Sequence, residues 1–257
     1  MKKIIFILIS IELIVFFFAG CISGILPDTE EGDSGPIVES TSERTVMIEL
    51  FASSWCGWCD MVEPILEQLA KEYIPTQVLL LEEHIWESDY FNMETENRYY
   101  WYPLGDDDDR GIPDVLFNGL NQRIIGGGEN GTYENYKKAI ESERAKETKI
   151  YVSASKKIKY SKITISGSIK NLRSSPLSRI IINGMIFKDR GETGLQYLVL
   201  DILKEKEINL FAADEMVSFS FTSEELDCED INNVHGVIFV QAFEDPGREI
   251  LQALYIE

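Results

Sequence analysis

The sequence predicts an α/β domain followed by an all-β sandwich, on three observations. A buried strand, a cysteine pair and an amphipathic helix follow one another between Thr45 and Tyr73. Strand and helix patterns then alternate as far as Lys146, and from Ile150 onward only short β-rich runs remain. At 257 residues and 44% hydrophobic content the chain has material for two cores, expected over residues 44–147 and 148–257.

The first strand is Thr45 to Ala52, a run of β-formers bounded by polar residues. Directly after it, Cys56 opens a helical pattern in which Met61, Val62, Ile65, Leu66 and Leu69 recur at spacings of three and four. Pro64 lies inside that helix and predicts a kink, since its ring removes a backbone donor. Gln77 to Glu83 reads as a second strand, and Tyr90 to Tyr102 as a helix within an aromatic stretch whose main expected role is core packing. Asp114 to Phe117 and Gln122 to Ile125 form a strand pair around Asn118-Gly119. Gly126-Gly127-Gly128 is expected to be a turn, and Thr132 to cap a last helix to Lys146. The β-rich runs are Ile150–Ser155, Lys162–Ile169, Arg179–Lys188, Tyr197–Leu203, Met216–Phe221, Val237–Phe243 and Glu249–Ile256, the number of an antiparallel sandwich.

Ahead of these domains, Met1-Lys2-Lys3, an apolar stretch from Ile4 to Ala19, and Gly20-Cys21 form the charged, apolar and small-residue regions of a signal peptide over residues 1–20. As a helix, Ile4 to Ala19 would rise about 24 Å against a hydrocarbon core of about 30 Å, and Glu12 opposes spanning further, which favours a targeting signal over a permanent span. Phe18-Ala19-Gly20-Cys21 resembles the lipobox of secreted lipoproteins, which implies lipid attachment at Cys21. The alternative is an uncleaved signal anchor reaching Leu26. Either arrangement places the remainder outside the cytoplasm. Residues 21–43 are poor in large apolar side chains beyond Leu26 and are expected to be a flexible tether.

The formal net charge is -20, from 24 Lys and Arg against 44 Asp and Glu. Such a field repels nucleic acid, which excludes that class of partner. Asp106 to Asp109 reads as a solvated loop, because consecutive acids lack the spaced ligands of a calcium loop.

Of four cysteines, Cys56 and Cys59 sit as Cys-x-x-Cys between a buried strand and a helix. The first sulfur falls at the helix N-terminus, where unpaired amides and the helix dipole stabilise a thiolate, so Cys56 is the expected nucleophile. Cys59, one helical turn along, can resolve the mixed disulfide that results. Zinc would need two more ligands, and His84, His235 and Cys228 offer no paired spacing, so no metal or cofactor is expected. A static disulfide closing so short a loop would add little stability. Cys228 reads as a buried apolar thiol.

Trp55-Cys56-Gly57-Trp58-Cys59, followed by Pro64, resembles the thioredoxin active-site helix, and Arg110-Gly111-Ile112-Pro113 resembles the thioredoxin loop facing it. The resemblance covers about residues 44–147. It implies that the Ile112-Pro113 bond is cis, that Ile112 receives the extended chain of a partner, and that Trp55, Gly57, Trp58 and Pro64 support the site. Leu50 stands where the family usually places a buried acid, and Glu49 faces the other side of the strand. Trp58 replaces the usual proline of the active-site dipeptide, which leaves the direction of electron flow open. With its β-rich second half, the chain also resembles exported, outer-membrane-lipoprotein-related thioredoxin proteins with immunoglobulin-like C-terminal domains. These readings together imply a membrane-anchored thiol-disulfide oxidoreductase acting on exported protein thiols or disulfides, supplied with electrons by a membrane donor. The competing expectation is a non-enzymatic surface-anchored binding protein, with partner recognition by the sandwich and a structural or vestigial dithiol.

Overall fold

The computed structural model describes residues 35–87, 89–106, 109–188, 197–226, 231–244 and 246–257. The expected signal peptide, Cys21, most of the tether and Cys228 lie outside the described residues.

The chain enters along the edge of a sheet. Val38–Glu39 form β1, which pairs antiparallel with Ala154 and Ser153 of β6 (Ile150–Lys159). Gly35 and Ser40 add backbone bonds to Lys156 and Val152. Residues 35–40, expected to belong to a flexible tether, thus bond along that edge while Ile37 and residues 41–43 stay exposed, because an open strand edge satisfies peptide groups whatever their side chains. Arg44 then turns inward, buried, and donates to the Glu249 carboxylate at 2.8 Å.

The first half of the chain folds as β2 (Val46–Ala52), α1 (Cys59–Glu72), β3 (Val78–His84), α2 (Met93–Trp101), β4 (Asp114–Phe117), β5 (Gln122–Ile125) and α3 (Tyr133–Arg144). β2 lies between β3, parallel to it, and β4, antiparallel, with β5 beyond. On one face of this sheet, Ile48, Leu50, Val78, Leu80 and Phe117 meet Val62, Leu66 and Leu69 of α1 and Tyr136 and Ile140 of α3. α1 runs through the exposed Pro64 without ending. α2 begins three residues later than the aromatic pattern suggested, because Asn92 adopts extended backbone and its side chain caps the Glu94 amide at 2.8 Å. Asn118 and Gly119 both take left-handed backbone, φ +50° and +73°, and a single 3-10 turn completes the β4–β5 connection.

Among the described residues the second half is β6, β7 (Lys162–Asn171), β8 (Leu177–Lys188), β9 (Leu198–Phe211), β10 (Met216–Thr222), β11 (Val234–Ala242) and β12 (Ile250–Ile256). One sheet has the order β1-β6-β7-β10. The other, β12-β11-β8-β9, continues through a parallel pairing of Leu198 with Glu82 into β3-β2-β4-β5. Val152, Ile163, Ile165, Ile182, Ile186 and Leu254 fill the space between the two sheets. A separate cluster joins the halves, with Met47, Leu79 and Leu81 from β2 and β3 against Met185, Phe187, Val237 and Phe239.

Beside that cluster runs a buried polar network. Arg98 of α2 donates to Glu49 of β2, and the Tyr102 hydroxyl donates to the other Glu49 oxygen at 2.6 Å. Gln241 of β11 donates to the Tyr102 oxygen at 3.0 Å. The Arg98 guanidinium lies 4.8 Å from the centre of the Phe239 ring. Glu83 stands 4.0 Å from Arg98; burial first, then the Glu49 charge, holds its carboxyl well above the usual carboxylate range.

Candidate functional site

β2 ends at Ala52 and delivers the chain into a tight turn. The Cys56 amide donates to the Ser53 carbonyl at 3.0 Å, and the Cys56 carbonyl accepts from Cys59 and Asp60 at 2.9 and 3.3 Å. The expectation that Cys56 opens the helix is corrected: α1 starts at Cys59, with Trp58 as an N-cap that offers no side-chain bond. The turn ahead of it already accepts the first helical bonds, so the positive end of α1 still falls at Cys56. Cys56 and Cys59 form a disulfide with Cα atoms 5.2 Å apart. The Cys59 amide points at the Cys56 Sγ at 3.2 Å, a donor placed to steady negative charge there. Exposure differs slightly between the two residues, since Cys56 is 6% accessible and Cys59 0%.

The supporting residues sit around this loop. Trp55 is 61% exposed, and its indole N–H donates to the Trp86 carbonyl at 3.1 Å. The Trp86 indole in turn donates to the Tyr100 hydroxyl at 3.3 Å. Of the aromatic stretch, Tyr99 and Tyr102 are core residues packed on Phe51, while Tyr100 stays exposed. The Ile112-Pro113 bond is cis, Pro113 is buried, and Ile112 packs against the cluster that contains both cysteines. Three residues not anticipated from sequence fix this loop. The Tyr99 hydroxyl accepts from the Gly111 amide and donates to Asp114, both at 3.1 Å, and Arg123 grips the Asp114 carboxylate at 2.8 to 3.1 Å. Asp106 and Asp109 are joined by a backbone bond; Asp107 and Asp108 lie outside the described residues.

The glycine run has a role beyond turning the chain. Trp58, 55% exposed, lies over it, and a Cβ built at Gly127 would fall 2.7 Å from the Trp58 ring. Nothing lies within 4 Å of a Cβ at Gly57. Gly127→Ala is therefore expected to displace the indole, at a cost of about 1 kcal/mol or more, and to change tryptophan emission. Gly57→Ala should leave emission and the melting temperature unchanged; equal spectra for both variants would contradict this seating.

Two carboxyls, one on α1 and one on β3, are shifted upward by burial. Glu63, four residues after Cys59, is pushed up from 4.5 to about 7 by burial, then by Asp60 and Glu67. Glu82 of β3 is raised well above the usual range by burial and then by Glu63 and Glu67. A group raised on folding binds its proton more tightly in the folded chain. Its stabilisation is complete below pH 4.5 and is lost as pH rises through about 7. Glu72 and Glu249 shift the opposite way, so the comparison is made against a variant. Between about pH 5 and about pH 8 the parent's melting temperature should fall, and Glu63→Gln should flatten that fall; an identical slope in both would remove the assignment.

A disulfide on a strand-to-helix turn, a cis Ile112-Pro113 peptide whose Ile112 packs on the same cluster, and a sheet flanked by α1 and α3 on one side and α2 on the other define a thioredoxin fold. Residues 36–96 match the thioredoxin family model. Thioredoxin F-type, chloroplastic, from Pisum sativum is 34% identical over 47 residues, which is 18% of this chain and 25% of that relative. The chain thus spans about a quarter of the curated relative it matches. Among solved structures, HBP35 of Porphyromonas gingivalis superposes with a TM-score of 0.63 at 18% identity, covering 84% of this chain and 76% of that one. That coverage exceeds the first half of the chain, so the likeness of fold reaches into the β-rich half.

Proposed function

We propose that this protein is a membrane-anchored, extracytoplasmic thiol-disulfide oxidoreductase that acts on exported protein thiols or disulfides. Cys56 exchanges bonds with the visitor, Cys59 resolves, and Ile112 with Pro113 receives the visitor's extended chain. The observation that carries this reading is the inequality of the two cysteines, Cys56 retaining slight exposure with its sulfur steadied by the Cys59 amide, Cys59 fully enclosed. The flanking indoles of Trp55 and Trp58 supply apolar area for a partner of varied sequence.

Anchoring rests on the order of charged, apolar and small residues that ends at Cys21. In this reading a membrane donor renews the dithiol, and the two-sheet body is an immunoglobulin-like docking module or spacer. The antiparallel pairing of β6 to β12 about one core supports that last assignment. The test is reduction of insulin by full-length protein in detergent with dithiothreitol as donor. Acceleration that vanishes in Cys56→Ser is expected; equal rates for the two proteins would overturn the proposal.

A further inference from the structure

Acids outnumber bases in this chain, 44 Asp and Glu against 24 Lys and Arg, yet the excess is unevenly placed. β6, β7 and β10 carry Lys156, Lys157, Lys159, Lys162 and Lys170 and not one Asp or Glu. Side chains alternate between the two faces of a strand. Val152, Ala154, Ile163 and Ile165 fill the space between the sheets, so Lys157 and Lys159 of β6 and Lys162 of β7 stand on the outer face. Lys156 differs, for its ammonium donates inward to the Val234 carbonyl at 2.7 Å, and Lys170 pairs with Asp214 at 3.3 Å. Among the described residues, Lys157, Lys159 and Lys162 pair with no carboxylate.

These three lysines sit at the β6–β7 turn, where Lys159 faces Lys162 across Tyr160 and Ser161. Both turn residues take left-handed backbone, φ +51° and +57°, a conformation that favours Asn, Asp or Gly. Tyr160 is 75% exposed, and the Lys159 ammonium lies 4.9 Å from the centre of its ring. A tyrosine flanked by lysines suits the headgroup layer of a bilayer, where the ring lies among apolar groups and the cations meet phosphates. The described chain also begins at this end of the sheet. β1 runs antiparallel to β6, and the Gly35 amide donates to the Lys156 carbonyl at 2.9 Å, so Gly35 is the end of that edge nearest the turn. Only residues 22–34 separate Cys21 from Gly35, and a flexible run of that length has an end-to-end distance of about 20 Å. Glu224 and Glu225 pass the turn on its β10 side, where Leu226 donates to the Ser161 carbonyl at 2.9 Å, while β6 and its lysines lie next to β1.

We propose that the β6–β7 turn, through Lys157, Lys159, Lys162 and Tyr160, docks the protein on the anionic phospholipid surface to which the chain is anchored. The chain as a whole carries a formal charge of -20 and is repelled by such a surface. Repulsion of the acidic body and attraction of this turn act together, so they select an orientation as well as a contact. Each lysine within a Debye length of the headgroups, about 8 Å at physiological salt, feels that attraction.

This inference rests on the anchoring proposed above, and one experiment separates the two. Full-length protein is added from detergent to preformed vesicles of phosphatidylcholine alone, or of equal parts phosphatidylcholine and phosphatidylglycerol. Lysines are acetylated briefly with a water-soluble N-hydroxysuccinimide ester, and the extent at each is read by mass spectrometry against the exposed Lys138 and Lys204. An anionic surface favours a nearby ammonium enough to lower its free-amine fraction about fivefold. Labelling of Lys157, Lys159 and Lys162 should therefore slow by about fivefold on the anionic vesicles only. It should recover in about 1 M salt, where the Debye length is about 3 Å. Equal labelling of the three lysines on the two kinds of vesicle, whether fast or slow, overturns the docking. Slowing produced by dextran sulfate in solution but not by anionic vesicles marks a soluble polyanion as the occupant and overturns it as well. Protein that stays on the vesicles through an alkaline carbonate wash, yet labels evenly, refutes the docking and leaves the anchor standing. Protein stripped from both kinds of vesicle by that wash overturns the anchoring and takes this inference with it.

Discussion

A Cys59→Ser variant will collect stable mixed disulfides with its partners, visible on non-reducing gels, and a Cys56→Ser variant will not. The expectation follows from accessibility. Cys56 retains 6% of its surface and Cys59 none, and the Cys56 sulfur receives the Cys59 amide. With Cys59 replaced, the first exchange still occurs, but nothing releases the partner. With Cys56 replaced, serine offers a neutral hydroxyl in place of a thiolate, and turnover should fall on the order of 10³ or more. Equal trapping by the two variants would reverse or abolish the assigned roles.

The second large effect concerns stability. Arg98→Met removes the cation that meets the buried Glu49 carboxylate, together with the guanidinium that lies over Phe239. An uncompensated buried charge costs about 3–5 kcal/mol, so urea unfolding should move to markedly lower denaturant. Removing both members, Glu49→Gln with Arg98→Met, should be less damaging than Arg98→Met alone, because no charge is then stranded. Glu83 does not substitute for Glu49, since burial already favours its neutral form. A double variant less stable than Arg98→Met would show that the network contributes through packing and not through charge pairing.

Local features were readable from the sequence. The run of β-formers ending at Ala52 gives β2, and the bounds of β4 and β5 follow from apolar pairs around Asn118-Gly119. All seven later β-rich runs are strands, although β9 extends to Phe211 where the pattern suggested Leu203. Of the eight added residues, Lys204 to Glu207 are charged and exposed in succession, so both faces of the strand are wet there and no alternation marks it. Backbone geometry hid the helix start, because a turn that precedes α1 shares its hydrogen-bond pattern. Long-range pairing was hidden altogether. Neither Val38 against Ala154 nor Glu82 against Leu198 leaves a trace in spacing. Glu63 had a faint signal as an acid beside the buried stripe of Val62 and Leu66, but its neighbours across the layer came only with the fold.

The strand that carries Glu82 is hydrogen-bonded to β9, so the Cys56–Cys59 disulfide and the all-β body ride on one continuous sheet. Among the described residues the Glu82–Leu198 pairing and the Met47, Leu79 and Leu81 cluster hold the two halves together. Anything gripped by that body would face Cys56 at a fixed angle, and the choice of which target bond is presented would be made by orientation as much as by affinity. The same continuity sets a limit on dissection. A fragment cut after residue 147 would lay bare the oily strip of Met47, Leu79 and Leu81, and aggregation, not a smaller catalyst, is the outcome to expect.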